Sequence, residues 1–345
     1  MDISQTPNII SDVVHNVVIS FPERASLLLA AILLVSILGY TYGTIRGKSI
    51  PALWFIFEAL LGGFCDKAFK PNKDKSTLAF RGAMLFIAVM AIALSLGFLT
   101  QALSKSIYMY DVVAVISLCM LLVTGAHWTL IGKILHTLKN KKDKNSGRHY
   151  YALAASSRVD LNSVDDAGTV RTVANFSLMS FETMLVLPSL AYLCFGLMGA
   201  FMMSGIGFIM WRVGRMGAGQ GSGSLASVCL KLVRIISAPI AYVIFLVSCL
   251  FVPHSNILRG LKGLVTTSGY GVVSIVAYAL NMILLGPAKD IDGWVINLDW
   301  RGPDKVSAKL DLDMVKRVRY LLFVATILWG ALILGLLLLY KFYIL

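Results

Sequence analysis

From Tyr320 to Tyr340 the chain is an unbroken run of uncharged, mostly apolar residues, and about 20 such residues in a helix are what crossing the hydrocarbon of a bilayer requires. The stretches 25–42, 82–103, 112–135, 184–211 and 235–252 have the same character, and a weaker one punctuated by Gly and Ser covers 264–285. Backbone in hydrocarbon has no water to bond to, so each such run is read as a helix. The 345 residues are 57% hydrophobic and only 14% charged, which excludes an ordinary water-soluble core. The expected fold class is all-α: a polytopic transmembrane helical bundle with amphipathic interfacial helices, forming a single integral membrane domain over 1–345. Six runs are read as full spans, and 264–285 as re-entrant.

A net charge of +13 would suggest nucleic acid in a soluble protein. Here the basic residues sit in blocks beside the spans, the pattern that marks cytoplasmic loops, so no nucleic-acid partner is expected. Arg46, Lys48, Lys67, Lys70, Lys73, Lys75 and Arg81 follow the first span, and Lys139, Lys141, Lys142, Lys144 and Arg148 follow the third. Lys105 stands alone between the second and third, which places that turn and the N-terminus outside. The re-entrant reading of 264–285 keeps the basic loop 287–319 cytoplasmic. The expected location is the bacterial inner membrane, multi-pass, with the first span retained rather than cleaved.

Three segments between the spans are more polar. In 50–70, Trp54, Phe57, Leu60, Leu61 and Phe64 recur at helical spacing and predict an interfacial helix. The segment 139–183 reads as a cytoplasmic loop and polar helix. In 287–319 a loop leads to a second amphipathic helix, with Val306, Leu310, Met314 and Val318 four residues apart.

Constellations with chemical potential are few. Histidines 15, 127, 136, 149 and 254 are scattered, and the five cysteines form no CxxC pair, so no metal site is assigned. His127 lies inside a span and reads as a satisfied interface residue. The Gly217, Gly219, Gly221, Gly223 alternation lacks a Walker lysine and reads as a turn. Asp160, Asp165 and Asp166, flanked by Arg158 and Arg171, are the candidate ligand-binding residues. Their blander reading, a structural ion-pair cluster built on Arg158, Asp160 and Asp165, is preferred. No catalytic residue is assigned and no cofactor is expected.

The run AASSRVDLNSVDDAGTVR (154–171) resembles a segment of the membrane-bound adenosylcobinamide-phosphate synthases, the CobD/CbiB family of cobalamin biosynthesis. There an Arg-Asp pair, here Arg158 and Asp160 with one extra residue between them, precedes a helix start like Asp165, Asp166, Ala167, Gly168 and Arg171. The resemblance continues through Pro188, Gly196, Gly199, Ala200, Val213 and Gly214, and returns in LAFRGAMLF (78–86) and SGYGVVSIVAYALNMILLGP (268–287). The extra residue is also similar to the AmpE branch of the same superfamily, an inner-membrane protein linked to β-lactamase regulation.

The resemblance implies acidic residues that hold Mg-nucleotide, and this chain departs from them. Asn175, Phe176, Met179, Ser180 and Thr183 stand where the first acidic run is expected. Met203, Ser204, Gly207, Phe208, Met210 and Trp211 replace a second set, and Leu230, Lys231, Arg234, Ser237, Ala238 and Pro239 a third. A Met in place of a carboxylate cannot ligate Mg or neutralise phosphate. The expectation is a divergent superfamily member with a degenerate site, an accessory, scaffold or signalling component whose partners are the lipid bilayer and other membrane proteins. The alternatives are a working ATP- and Mg-dependent amide ligase of the cobalamin pathway and a membrane transporter.

Overall fold

The computed structural model describes residues 9–43, 47–68, 74–106, 109–140, 146–212, 225–266, 271–284, 286–291, 295–297, 300, 302–303 and 312–343. They form a helical bundle: α1 (Ile9–Tyr42), α2 (Ala52–Ala68), α3 (Lys75–Ser106), α4 (Tyr110–Leu121), α5 (Gly125–Lys139), α6 (Ser146–Ser157), α7 (Asp166–Phe181), α8 (Leu187–Arg212), α9 (Leu225–Ser248), α10 (Ile257–Thr266), α11 (Gly271–Ala279) and α12 (Leu312–Tyr343). A two-stranded ribbon, β1 (Ala288–Lys289) and β2 (Val295–Asn297), is the β-structure among the described residues besides isolated bridges. Five helical stretches are long and apolar enough to cross a membrane: Ile19–Tyr42, Ser76–Ser104, Tyr110–Lys139, Asp166–Arg212 and Leu312–Phe342. The protein is therefore a multi-pass membrane protein.

Side-chain neighbours fix the relative directions of these helices. Ser36 of α1 hydrogen-bonds Thr124 at 2.8 Å, and farther along both helices Thr129 donates to Gly39 O at 3.2 Å, so α1 and α4–α5 run the same way. Helix α12 runs against them, with Tyr340 beside Phe21 at 6.2 Å between ring centroids and Phe323 beside Trp128 at 5.2 Å. Glycines permit the closest approaches. A Cβ on Gly125 would run into Ser36 O of α1, the small-residue contact that membrane helices use in place of a hydrophobic driving force.

The stretch read from sequence as one span over 184–211 is instead the second part of a longer helical segment that reverses. It starts at Asp166, passes through a π-helical turn at Glu182–Val186, and breaks at Gly196, whose φ of 69° and ψ of −157° lie far from helical values. Beyond the break the chain returns along itself: a Cβ on Gly207 would sit 3.1 Å from Thr183 O, and one on Gly199 2.7 Å from Ala191 O. Both ends of 166–212 consequently lie at one end of the bundle. The carbonyls released at the reversal are taken up by Arg24 of α1, which donates to Leu193 O at 3.2 Å and Cys194 O at 3.0 Å, a cation at a helix C-terminus. The returning limb packs against α3, where Gly97 faces Met198 and Gly205 faces Val89 and Ala93.

The π-helical turn has a second role. Between α4 and α5 the helix unwinds over 122–124, and the freed Val123 N–H donates to Met184 O, inside the π turn, at 3.4 Å. A π insertion shifts the hydrogen-bond register and leaves carbonyls available, and unwound backbone at membrane depth persists only where protein groups bond to it.

Other expectations are altered. The run 235–252 falls mostly in α9, which is 24 residues long, about 36 Å at 1.5 Å per residue, with 237–251 its apolar stretch among the described residues. Helices α10 and α11 are 10 and 9 residues long, about 15 and 14 Å at 1.5 Å per residue, half of the roughly 30 Å of hydrocarbon. They pair antiparallel, closed at their base by Asn256 N–H to Ala279 O at 3.0 Å. Helix α2 does not anchor by its Trp: Trp54 and Phe57 are fully buried on Phe208 and Trp211 of α8, because Gly205 and Gly207 leave room for them. Segment 139–183 does not end as a soluble unit, since α7 continues into the buried π turn. In 287–319, residues 304–311 lie outside the described residues, and from Leu312 the helix is continuous with the last span.

The backbone of Gly196 occupies a region essentially closed to residues with a Cβ. Gly196→Ala is expected to destabilise the protein by roughly 1–3 kcal/mol, measured as a lowered unfolding midpoint in detergent. An unchanged midpoint would mean that the reversal does not depend on this conformation.

Candidate functional site

The reversal gathers a polar junction at one end of the bundle, here called the basic face, where the end of α6, the start of α7, the end of α8, α2 and the β-ribbon meet. Its centre is Arg158. This residue ends α6 with a φ of 56°, a left-handed conformation uncommon for a residue with a long side chain. Two strand-like links hold it there: Ile291 N–H donates to Arg158 O at 3.1 Å, and Asp160 N–H donates to Lys289 O at 2.9 Å. Its side chain is buried, forms an ion pair with the equally buried Asp290 at 3.8 Å, and lies 5.8 Å from the Trp211 ring centroid.

Trp211 organises the rest. Its Nε1–H donates to Ser156 O at 2.6 Å, Ser156 Oγ accepts from Ser49 N–H at 2.7 Å, and His127 Nε2–H donates to Ser49 O at 3.1 Å. Lys48 sits 5.9 Å from the same indole and bonds Glu58 at 2.7 Å. One residue on, the buried Arg212 pairs with Asp66 of α2. The neighbouring Cys65 thiol is pushed up to about 11 by burial, opposed by the Arg212 charge, and so stays protonated and unreactive at neutral pH.

The sequence-predicted residues are divided among separate tasks. Asp160 caps the 3₁₀ turn at Leu161–Ser163 by accepting from Asn162 N–H at 3.0 Å. Asp165 caps α7 by accepting from Gly168 N–H at 2.6 Å and pairs with Arg171 at 3.3 Å. Asp166 lies exposed in the first turn of α7, where acidic residues favour the helix dipole, and its charge, after burial, helps raise the Tyr150 hydroxyl above its ordinary value. Arg171 stacks 4.5 Å from the Trp300 ring centroid. The ion-pair cluster expected of Arg158, Asp160 and Asp165 is thus replaced by two pairs, Arg158 with Asp290 and Asp165 with Arg171. Short polar side chains just before a helix are drawn into capping its N–H groups.

Asp290, Trp211, Arg212 and Asp66 are the members that sequence reasoning missed. Arg212 follows an apolar run, which is a signal of an interfacial cation. Asp290 is far along the chain from Arg158 and carries no local pattern. Among the described residues no group of three or more His, Cys, Asp or Glu side chains is placed to hold a metal ion.

The Arg158–Asp290 pair is buried on both sides, so removing one partner strands the other. Arg158→Ala is expected to cost about 3–5 kcal/mol, with Arg158→Met combined with Asp290→Leu recovering much of it. Thermal unfolding in detergent checks this; a wild-type midpoint for Arg158→Ala, together with loss of binding to an anionic ligand, would make Arg158 a ligand-binding residue instead.

Comparison of the chain with protein-family models, curated proteins and solved structures finds no match.

Proposed function

We propose that this multi-pass protein is a noncatalytic relative of the adenosylcobinamide-phosphate synthase and AmpE superfamily in the bacterial inner membrane, serving as an accessory, scaffold or signalling component. The basic face is then cytoplasmic, in keeping with the position of Lys48, Lys139, Arg158, Arg171 and Arg212 on one side.

The observation that carries this reading is what occupies the positions where the resemblance implies Mg-nucleotide carboxylates. Phe176 is buried with its ring 5.3 Å from that of His127. Ser180 Oγ returns to Phe176 O at 2.6 Å and Thr183 Oγ1 to Met179 O at 3.1 Å. These side chains serve packing and their own helix. Four carboxylates on this face are engaged, Asp290 by Arg158, Asp66 by Arg212, and Asp160 and Asp165 by caps, while Asp166 lies exposed in the first turn of α7. Phosphoryl transfer rests on positioning and on neutralising developing charge with metal-bound carboxylates, and this arrangement commits those four elsewhere. A junction of ion pairs with Arg158 and Arg171 lying over indoles suits a rigid platform for another membrane protein.

Complementation tests it. In a strain lacking its own synthase and supplied with cobyric acid, the protein is expected to accumulate in the membrane without restoring cobalamin-dependent growth. Losing one well-placed stabilising group typically costs about 100-fold or more in rate, so restored growth would mean that other residues do the chemistry and would end the noncatalytic reading.

A further inference from the structure

We propose that a glycerophospholipid with an anionic headgroup binds in the groove between α1 and α12, with its phosphate at Arg319 and an acyl chain lying over Trp128. This stands on the membrane-spanning helices alone and does not depend on the family reading.

The groove has a volume of about 870 Å³ and runs along α1 from Leu29 to Thr41 and along α12 from Lys316 to Gly330. At 1.5 Å per residue that is about 18 Å of one wall and 21 Å of the other, the scale of an acyl chain in one leaflet. Leu33, Ile37 and Ile327 form apolar walls and are more than half exposed. Trp128 of α5 forms the floor. Tyr40 and Tyr320 stand at the basic-face end, where aromatic residues sit at the headgroup level.

Only that end of the groove is cationic. Lys316 is paired with Asp313 at 2.5 Å. Among the described residues no carboxylate lies within ion-pair distance of Arg319. Arg319 is also held in place: a Cβ on Gly132 of α5 would lie 3.0 Å from its Nη1, so the absence of a side chain there lets the guanidinium lie against α5. An apolar slot capped by a fixed cation at headgroup depth is complementary to an anionic lipid, and basic pockets between membrane helices take such headgroups. A second copy or a partner helix would need to bring its own carboxylate to the same point.

The test uses the full chain in phosphatidylcholine vesicles containing a minority of lipid with brominated acyl chains, which quench tryptophan on contact. Brominated phosphatidylglycerol is expected to quench more than the same fraction of brominated phosphatidylcholine. The excess should vanish in Trp128→Phe, fall about five-fold in Arg319→Gln, and persist largely in Arg319→Lys and Lys316→Gln. Each variant is first shown to unfold at the wild-type temperature; a variant that does not is replaced by Gly132→Leu, which displaces Arg319 without removing it. Equal quenching by the two lipids, or an excess that survives Arg319→Gln, would overturn the proposal. So would absence of Trp128 quenching by either, the result expected if a second copy or a partner helix fills the groove.

Discussion

The reversal at Gly196 is the feature on which the rest of the architecture depends. It turns what would be a crossing of 47 residues, more than twice what a bilayer requires, into two antiparallel limbs. The outgoing limb carries Asp165, Asp166 and Arg171 at its start, and the returning one delivers Trp211 and Arg212 to the same face. Arg24 of α1 secures the turn at the opposite end of the bundle by donating to two released carbonyls. Without the reversal Trp211 could not reach Ser156, and the indole on which both Arg158 and Lys48 rest would lie at the wrong end of the molecule.

A second constraint is the need to satisfy every backbone group in hydrocarbon. Two irregular pieces meet that demand together. The unwound 122–124 segment offers Val123 N–H and the π turn offers Met184 O, so each irregularity compensates the other. The close seats of Gly125 on α1 and of Gly97 and Gly205 between α3 and α8 supply the dispersion contact that holds these helices together where lipid removes the hydrophobic incentive. The polar junction at the basic face rests on this frame. Its central pair, Arg158 with Asp290, is buried on both sides, so that removing either partner strands the other's charge, whereas Asp66 and Asp165 reach solvent from their pairs.

Much of this was legible from the order of residues. Apolar runs mark the helices, since length and hydropathy alone decide whether a helix can span. Asp165, with a helix-forming stretch after it, carries a cap signal that its bond to Gly168 N–H realises. The reversal is harder to read because the sequence is equally apolar on both sides of Gly196; the useful sign is that the helical stretch from Asp166 is too long for one crossing. Trp54 reads as an interfacial residue from its helical spacing with Phe57, Leu60, Leu61 and Phe64, whereas the two glycines that make its pocket lie on α8, far along the chain. The partnership of Arg158 with Asp290 had no local signature, because a bridge between Val159 and Asp290 depends on the tertiary fold bringing the ribbon beside the end of α6.

Impermeant-maleimide labelling of single cysteines in a cysteine-free background tests the reversal most directly. Asp66, Asp166 and Asp111 are exposed positions, and Asp66 reports the end of the returning limb through its pairing with Arg212. Cysteines at 66 and 166 are predicted to react from one side of the membrane and a cysteine at 111 from the other. Reaction of 66 and 166 from opposite sides would mean that 166–212 crosses once, and would contradict the fold-back at Gly196.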